Sequence, residues 1–163
     1  MFGLRKTKSI GAAGFECPAS QLRVLVVDDR VSSRSVVRPT LRALGIVDVD
    51  DALTTAQGLE MLKTPDGREY DLVVCGSSGK AVDPLAFCNS VRRTERLRNK
   101  RIPILVVTAE NDRLLRDVVL SAGAAGVINR PVSAPALLER IEAAVGICFD
   151  RVIRGGTSLK AAG

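Results

Sequence analysis

Two adjacent carboxylates, Asp28 and Asp29, close the apolar run Val24-Leu25-Val26-Val27 and are the side chains best suited to hold a hard divalent cation. Three other places carry chemically useful groups: the stretch Gly76-Ser77-Ser78-Gly79-Lys80, the hydroxyl of Thr108 and the guanidinium of Arg130. The chain has no histidine. Ser-His and Cys-His nucleophilic pairs, histidine zinc sites and a histidine phosphocarrier are therefore excluded, and only lysine, carboxylate or metal-assisted catalysis is left to be shown from the residues.

The stretch from Gly76 to Lys80 resembles a phosphate cradle only superficially. Its spacing is not that of the Walker loop and no helix opens directly after Lys80, so a flexible loop is the simpler reading. Net charge is +6, and much of the excess lies between Arg92 and Arg101, where Arg92, Arg93, Arg96 and Arg98 crowd together. Such a run is ordinarily a solvated helix end and loop; the alternative is a site for an anionic partner, to which Arg151 and Arg154 near the C-terminus would add. DNA is not an expected partner, because aromatic residues make up only 3% and no recognition-helix module is present. Four cysteines, Cys17, Cys75, Cys88 and Cys148, lack the close spacing of a metal clip and read as buried or free thiols in a reducing cytoplasm.

The elements that must position these groups follow from the hydrophobic pattern. With 163 residues and 46% hydrophobic content, one domain with a substantial core is expected, over residues 22–146, between a flexible lead (1–21) and a tail (147–163). No apolar stretch follows the basic Arg5, Lys6 and Lys8, and no run of about eighteen apolar residues occurs. Neither a secretory signal nor membrane insertion is expected, and a cytoplasmic location is. Short apolar runs at Leu22 to Asp29, Val47 to Ala52, Asp71 to Cys75, Pro103 to Thr108 and Gly126 to Asn129 predict five strands. Helical stretches separate and follow them. Ser32 and Ser33 open the first, which runs through Pro39 to Leu44 and Gly45; Thr54 or Thr55 caps the second and Asp83-Pro84 starts the third. The fourth spans Asn111 to Ala122, with Leu114, Leu115, Val118 and Val119 on one side, and Ser133 caps the last. Strict alternation predicts an α/β fold: one doubly wound, five-stranded parallel sheet flanked by five helices. The crevice beyond the carboxyl ends of the strands would then gather Asp28, Asp29, Gly76, Thr108 and Arg130.

In order along the chain, Val24-Leu25-Val26-Val27-Asp28-Asp29, Val106-Val107-Thr108-Ala109-Glu110, and Ala122-Gly123-Ala124-Ala125-Gly126 followed by Asn129-Arg130-Pro131 resemble the first, fourth and fifth strands of a CheY-like receiver, the flavodoxin-like domain of bacterial response regulators. The resemblance covers roughly Leu22 to Val145 and looks closest to the chemotaxis branch. It implies a switch in which an aspartate ending the third strand takes a phosphoryl group, the acidic pair helps hold Mg²⁺, a hydroxyl follows the phosphate and a lysine pairs with it.

Aligned on Asp83, the acceptor position falls on Gly76, which has no nucleophile. Arg130 replaces the lysine and Val127 the switch aromatic, so three parts of one device depart from the family pattern. No catalytic residue and no Mg²⁺ are expected, Asp28 and Asp29 being weak metal candidates without a third carboxylate. Arg130 is the expected internal cation, reaching Asp29. The resemblance then points to a non-enzymatic signalling adaptor that docks on a histidine kinase or on a flagellar or chemotaxis component. Its partner face would lie on the fourth helix, fifth strand and fifth helix, including Asn111, Leu115, Val127 and Asn129. A cyclic-di-GMP effector using the surface arginines is the alternative, and a metal-dependent hydrolase on the same sheet is the outsider.

Overall fold

The computed structural model describes residues 19–64, 67–77, 81–109 and 113–146. Strands β1 (Arg23–Val27), β2 (Asp48–Ala52), β3 (Leu72–Gly76), β4 (Ile104–Thr108) and β5 (Gly126–Asn129) alternate with helices α1 (Val31–Ala43), α2 (Thr55–Leu62), α3 (Pro84–Arg93), α4 (Arg113–Ser121) and α5 (Ala134–Val145). All strands are parallel, in the order β2-β1-β3-β4-β5. The doubly wound sheet predicted from the alternation is the one observed. Its order reverses between β1 and β3, and a crevice opens at such a switch point beyond the strand ends.

Alternating residues of each strand face opposite layers. Val24, Val26, Leu72, Val74, Leu105, Val107 and Ile128 pack with Val37 and Leu41 of α1 and Leu137 and Ile141 of α5. Their neighbours Leu25, Val27, Val73, Cys75, Ile104, Val106 and Val127 pack on the other face with Leu62 of α2, Phe87, Cys88 and Val91 of α3, and Val119 of α4. Burial on both faces explains why the central strands are continuous apolar runs. Helix α2 comes close to the sheet through Gly58, where a Cβ would lie 3.0 Å from Val27 and 3.1 Å from Phe87.

The caps follow the sequence in three helices. Thr54 accepts from the Gln57 amide at α2, Asp83 from Ala86 at α3, and Ser133 from Ala136 at α5. Helix α1 differs. It begins at Val31 with Arg30 in the cap position and no side-chain cap bond, so Ser32 and Ser33 lie inside its first turn and do not cap it. The lead is also shorter than expected, since Ala19–Gln21 form a 3-10 turn with Ala19 in the core. The rest of the lead, the tail, Cys17, Cys148 and most of the Gly76 to Lys80 stretch lie outside the described residues. No helix among the described residues is long and apolar enough to cross a membrane.

Strand β2 (Asp-Val-Asp-Asp-Ala) is held at the sheet edge by arginines on both faces. On one face, buried Arg23 pairs with Asp50 at 3.1 Å and Asp48 at 3.9 Å, lies 4.2 Å above the Tyr70 ring and donates to the Arg68 carbonyl; Arg68 also pairs with Asp48. On the other, Arg38 and Arg34 of α1 reach Asp51 at 2.8 and 3.9 Å.

Cys75 and Cys88 are both buried and free. Burial, reinforced by the neighbouring Cys88, Asp28 and Asp83, pushes the Cys75 thiol well up, and burial raises Cys88 to about 11. Because only the thiolate reacts, both should resist a disulfide reagent at pH 8 in the native chain and react within the dead time once urea unfolds it. Native-state labelling of either, read by peptide mass, would contradict this burial. The raised values also set a sign. The folded chain keeps these protons where the unfolded chain has released them, so stability should fall as pH rises through 9 to 11.

Candidate functional site

Gly76 ends β3 beside the end of β1, and the two strands pair through Val27 and Cys75. Counting alternation from Val26 and Val74 places Asp28 and Gly76 on one face of the sheet. The side chain of Asp28 fills the space over the glycine. A Cβ on Gly76 would lie 2.6 Å from Asp28 Cγ and closer still to its Oδ2. Asp28 is buried, at 3% exposed, and its Oδ1 accepts from the Arg30 amide at 2.9 Å.

Arg130 does act as an internal cation, with its Nη2 3.8 Å from Oδ2 of Asp28. The partner in this ion pair is thus Asp28, where Asp29 was expected; alternation puts the Asp28 carboxylate on the Gly76 face. Asp29 is turned differently. Its Oδ2 accepts from the Ala81 amide at 3.4 Å, and its Oδ1 is buried without a hydrogen-bond partner among the described residues.

Thr108, at the end of β4, is 1% exposed and donates its hydroxyl to Oδ1 of Asn129 at 3.0 Å, its register partner on β5. The carboxamide expected at the partner face thus takes part in holding the pocket's hydroxyl. Asp28, Gly76 and Arg130 are brought together, and Thr108 joins Asn129 at the neighbouring strand ends. No group of three or more His, Cys, Asp or Glu side chains placed to hold a metal occurs among the described residues.

The partner face needs correction at Val127, which is 4% exposed and packed in the core layer under α4, because both faces of β5 are covered. Leu115 is half-buried against the same layer, while Leu114, expected beside it, is 75% exposed. Asn111 lies outside the described residues, as do Arg151 and Arg154. The basic segment separates into distinct roles. Arg92 turns inward and donates to the Gly123 carbonyl from Nε at 3.2 Å and Nη2 at 2.7 Å, and to the Lys100 carbonyl from Nη1 at 2.7 Å. That correction removes Arg92 from the exposed arginines, since its guanidinium serves backbone carbonyls. Arg93, Arg96 and Arg98 are exposed, and Arg93 and Arg96 line a groove of about 610 Å³ between α2 and α3 with Asn89, Ser90 and Leu97.

A 2-1-3-4-5 parallel sheet with acids, a hydroxyl and a basic residue at its carboxyl edge defines a receiver-type signalling domain. Residues 24–142 match the response regulator receiver domain family, and the chain belongs to it. It is 32% identical over 134 residues to the chemotaxis protein CheY of Pseudomonas aeruginosa, covering 80% of this chain and 98% of that protein. To CheY-3 of Vibrio cholerae it is 31% identical over 121 residues, 74% of this chain and 89% of that one. Among solved structures, the chemotaxis response regulator CheY4 of Vibrio cholerae matches with a TM-score of 0.61 at 24% identity, covering 74% of this chain and 96% of the other. The receiver domain of the sensor histidine kinase PA1611 from Pseudomonas aeruginosa, which has a magnesium ion coordinated in its active-site cleft, matches with 0.65 at 22% identity, covering 77% and 98%. At these identities the structures show the shared fold. The chain is a receiver domain of two-component or chemotaxis signalling, a class that interacts with signalling proteins such as histidine kinases and chemotaxis components.

Proposed function

We propose that this receiver domain is a protein-binding adaptor that cannot take a phosphoryl group. The observation that carries the reading is the space over Gly76: the position has no carboxylate, and the Asp28 side chain occupies the volume that one would need. Serine and cysteine do not substitute. Cys75 points to the opposite face with a thiol held protonated by burial, and Ser77 shares that opposite parity. The donor set also does not fit Mg²⁺. One carboxylate is absent at Gly76, and Asp28 is engaged by Arg130 and the Arg30 amide. With phosphoryl input gone, the domain acts through its surfaces on a kinase or on a flagellar or chemotaxis component.

The test is a titration of isotopically labelled protein with Mg²⁺ and beryllofluoride, an acyl-phosphate mimic that requires the acceptor carboxylate. The amides of Gly76, Thr108 and Arg130 should not respond. A saturable response there would overturn the reading. A second reading, an effector of cyclic-di-GMP, is favoured by one observation: the groove lined by Arg93 and Arg96 offers two exposed guanidiniums suited to phosphate oxygens. Saturable shifts at Asn89, Ser90, Arg93 and Arg96 with that nucleotide would establish it, and silence there would remove it.

A further inference from the structure

The groove of about 610 Å³ between α2 and α3 lies on the face of the sheet opposite α1 and α5. It has an apolar strip, built from Leu59, half-buried on α2, and Leu97, 5% exposed just past the end of α3. Asn89 and Ser90 add a carboxamide and a hydroxyl, and neither side chain bonds to another described residue. Glu60 is the acid among the lining residues, and it pairs with Lys63. The guanidiniums of Arg93 and Arg96 line the groove without an ion pair or hydrogen bond to any described residue.

Two further observations separate this surface from an ordinary solvated charge run. The first is its balance. From Arg93 to Arg101 five cations (Arg93, Arg96, Arg98, Lys100 and Arg101) meet one acid, Glu95, so a further neighbouring acid still leaves the surface positive. The helix dipole accounts for Arg93 in the last turn of α3 but not for the other four, which lie beyond its cap at Thr94. The second is rigidity. Leu97 is packed in the core layer between exposed Arg96 and Arg98, Arg92 Nη1 holds the Lys100 carbonyl at 2.7 Å, and the Arg101 amide donates to Asn99 Oδ1 at 3.1 Å. The backbone that carries these cations is thus fixed before a ligand arrives, which lowers the ordering cost of binding.

We infer that this groove binds an acidic peptide segment of a partner protein, with carboxylates on Arg93 and Arg96 and an aliphatic side chain against Leu59 and Leu97. Guanidiniums pair carboxylates in a planar fork, and the apolar strip selects a segment in which an aliphatic residue interrupts the acids. A lipid surface fits less well. The groove is concave, and none of the exposed large apolar side chains belongs to the basic segment. A nucleotide also fits less well, because no aromatic side chain lines the groove to stack a base. The inference gives the adaptor reading a partner chemistry and rests on that reading for its signalling sense; binding itself does not depend on Gly76.

The experiment is a titration of the full isotopically labelled chain with the peptide Glu-Asp-Leu-Glu-Asp-Leu-Glu-Asp, followed by amide shifts. Binding should saturate below about 1 mM and move the Asn89, Ser90, Arg93 and Arg96 amides. Arg93→Glu combined with Arg96→Glu should weaken it at least about thirtyfold. Arg30→Glu combined with Arg42→Glu, at exposed positions at the two ends of α1, changes net charge equally and should leave affinity within about twofold. Replacing both leucines of the peptide by alanine should weaken it about tenfold. No saturation by about 1 mM, equal weakening in the two double variants, or an alanine peptide that binds as well would overturn the proposal. Cyclic-di-GMP, or vesicles of phosphatidylglycerol, engaging the same amides more tightly than the peptide would assign the groove to that ligand and overturn it too. A beryllofluoride response at Gly76 would remove the adaptor reading and leave peptide binding standing, so the two fail separately.

Discussion

Replacing Arg23 with alanine should lower the unfolding free energy by about 3 kcal/mol, out of roughly 5–15 kcal/mol for a domain of this kind. The guanidinium is buried at the start of β1 and joins four structures at once: Asp48 and Asp50 of β2, the Arg68 carbonyl and the face of Tyr70. Truncation leaves Asp50 with the Tyr70 hydroxyl at 2.7 Å but without its cation, and opens a void over the ring. Arg23→Lys keeps the charge but not the planar fork that serves several acceptors together, so it should recover less than half of the loss. Urea unfolding measures both. A loss below about 1 kcal/mol for the alanine variant, or a lysine variant as stable as the parent, would show that β2 is held by the Arg34 and Arg38 side instead.

The second large effect concerns the glycine at the phosphoryl-acceptor position. Gly76→Asp restores the residue type that the family uses, yet it should neither accept phosphate from acetyl phosphate nor fold as stably as the parent. Its Cβ would lie 2.6 Å from Asp28 Cγ, well inside van der Waals contact, and its carboxylate would join one already buried. Overpacking and like charge together should cost about 3 kcal/mol. Gly76→Ala isolates the steric part, and adding Asp28→Ala to it should relieve the clash. The double variant should then be more stable than the sum of the single losses by at least about 1 kcal/mol. Additive losses, or a phosphorylated Gly76→Asp protein detected by intact mass, would mean that Asp28 moves aside readily and the pocket is not closed.

The fold was legible because parallel strands covered on both faces must be apolar at every position, and Val24 to Val27, Leu72 to Cys75 and Ile104 to Val107 are. Thr54, Asp83 and Ser133 announced their helices for a similarly local reason: each supplies an oxygen to the first turn. Strand β2 was less distinct, since an edge strand solvated along much of its length carries charge, and its first predicted residue, Val47, lies outside it and is 61% exposed. Arg30, at the head of α1, was invisible because no side-chain bond marks that cap.

At the site, the glycine and the arginine could be read directly, but which aspartate meets Arg130 could not be read from identity alone. Alternation held the answer. Asp28 follows Val24 and Val26 on one face, and Gly76 follows Leu72 and Val74 on the same face. The same alternation gave no warning about Val127, because it shares its parity with the exposed Asn129 and is buried only because α4 covers that face of β5. Within the basic segment, sequence offered no way to single out Arg92; its role depends on Gly123, distant in the chain, presenting a carbonyl to it.

That last contact has a mechanical consequence. Gly123 lies two residues beyond the end of α4, so the clasp from Arg92 anchors the carboxyl end of this helix to α3 and to the Lys100 carbonyl. Any rearrangement of α4 must then be a swing about that anchor, with the amino end describing the arc. Over nine residues the lever is about 14 Å long, and a tilt of about 10° would carry Leu114 through about 2 Å. Buried Val119, close to the fulcrum, would travel well under half as far. Motion is thereby concentrated on Leu114, the most exposed large apolar side chain among the described residues, while the core beneath α4 stays closed.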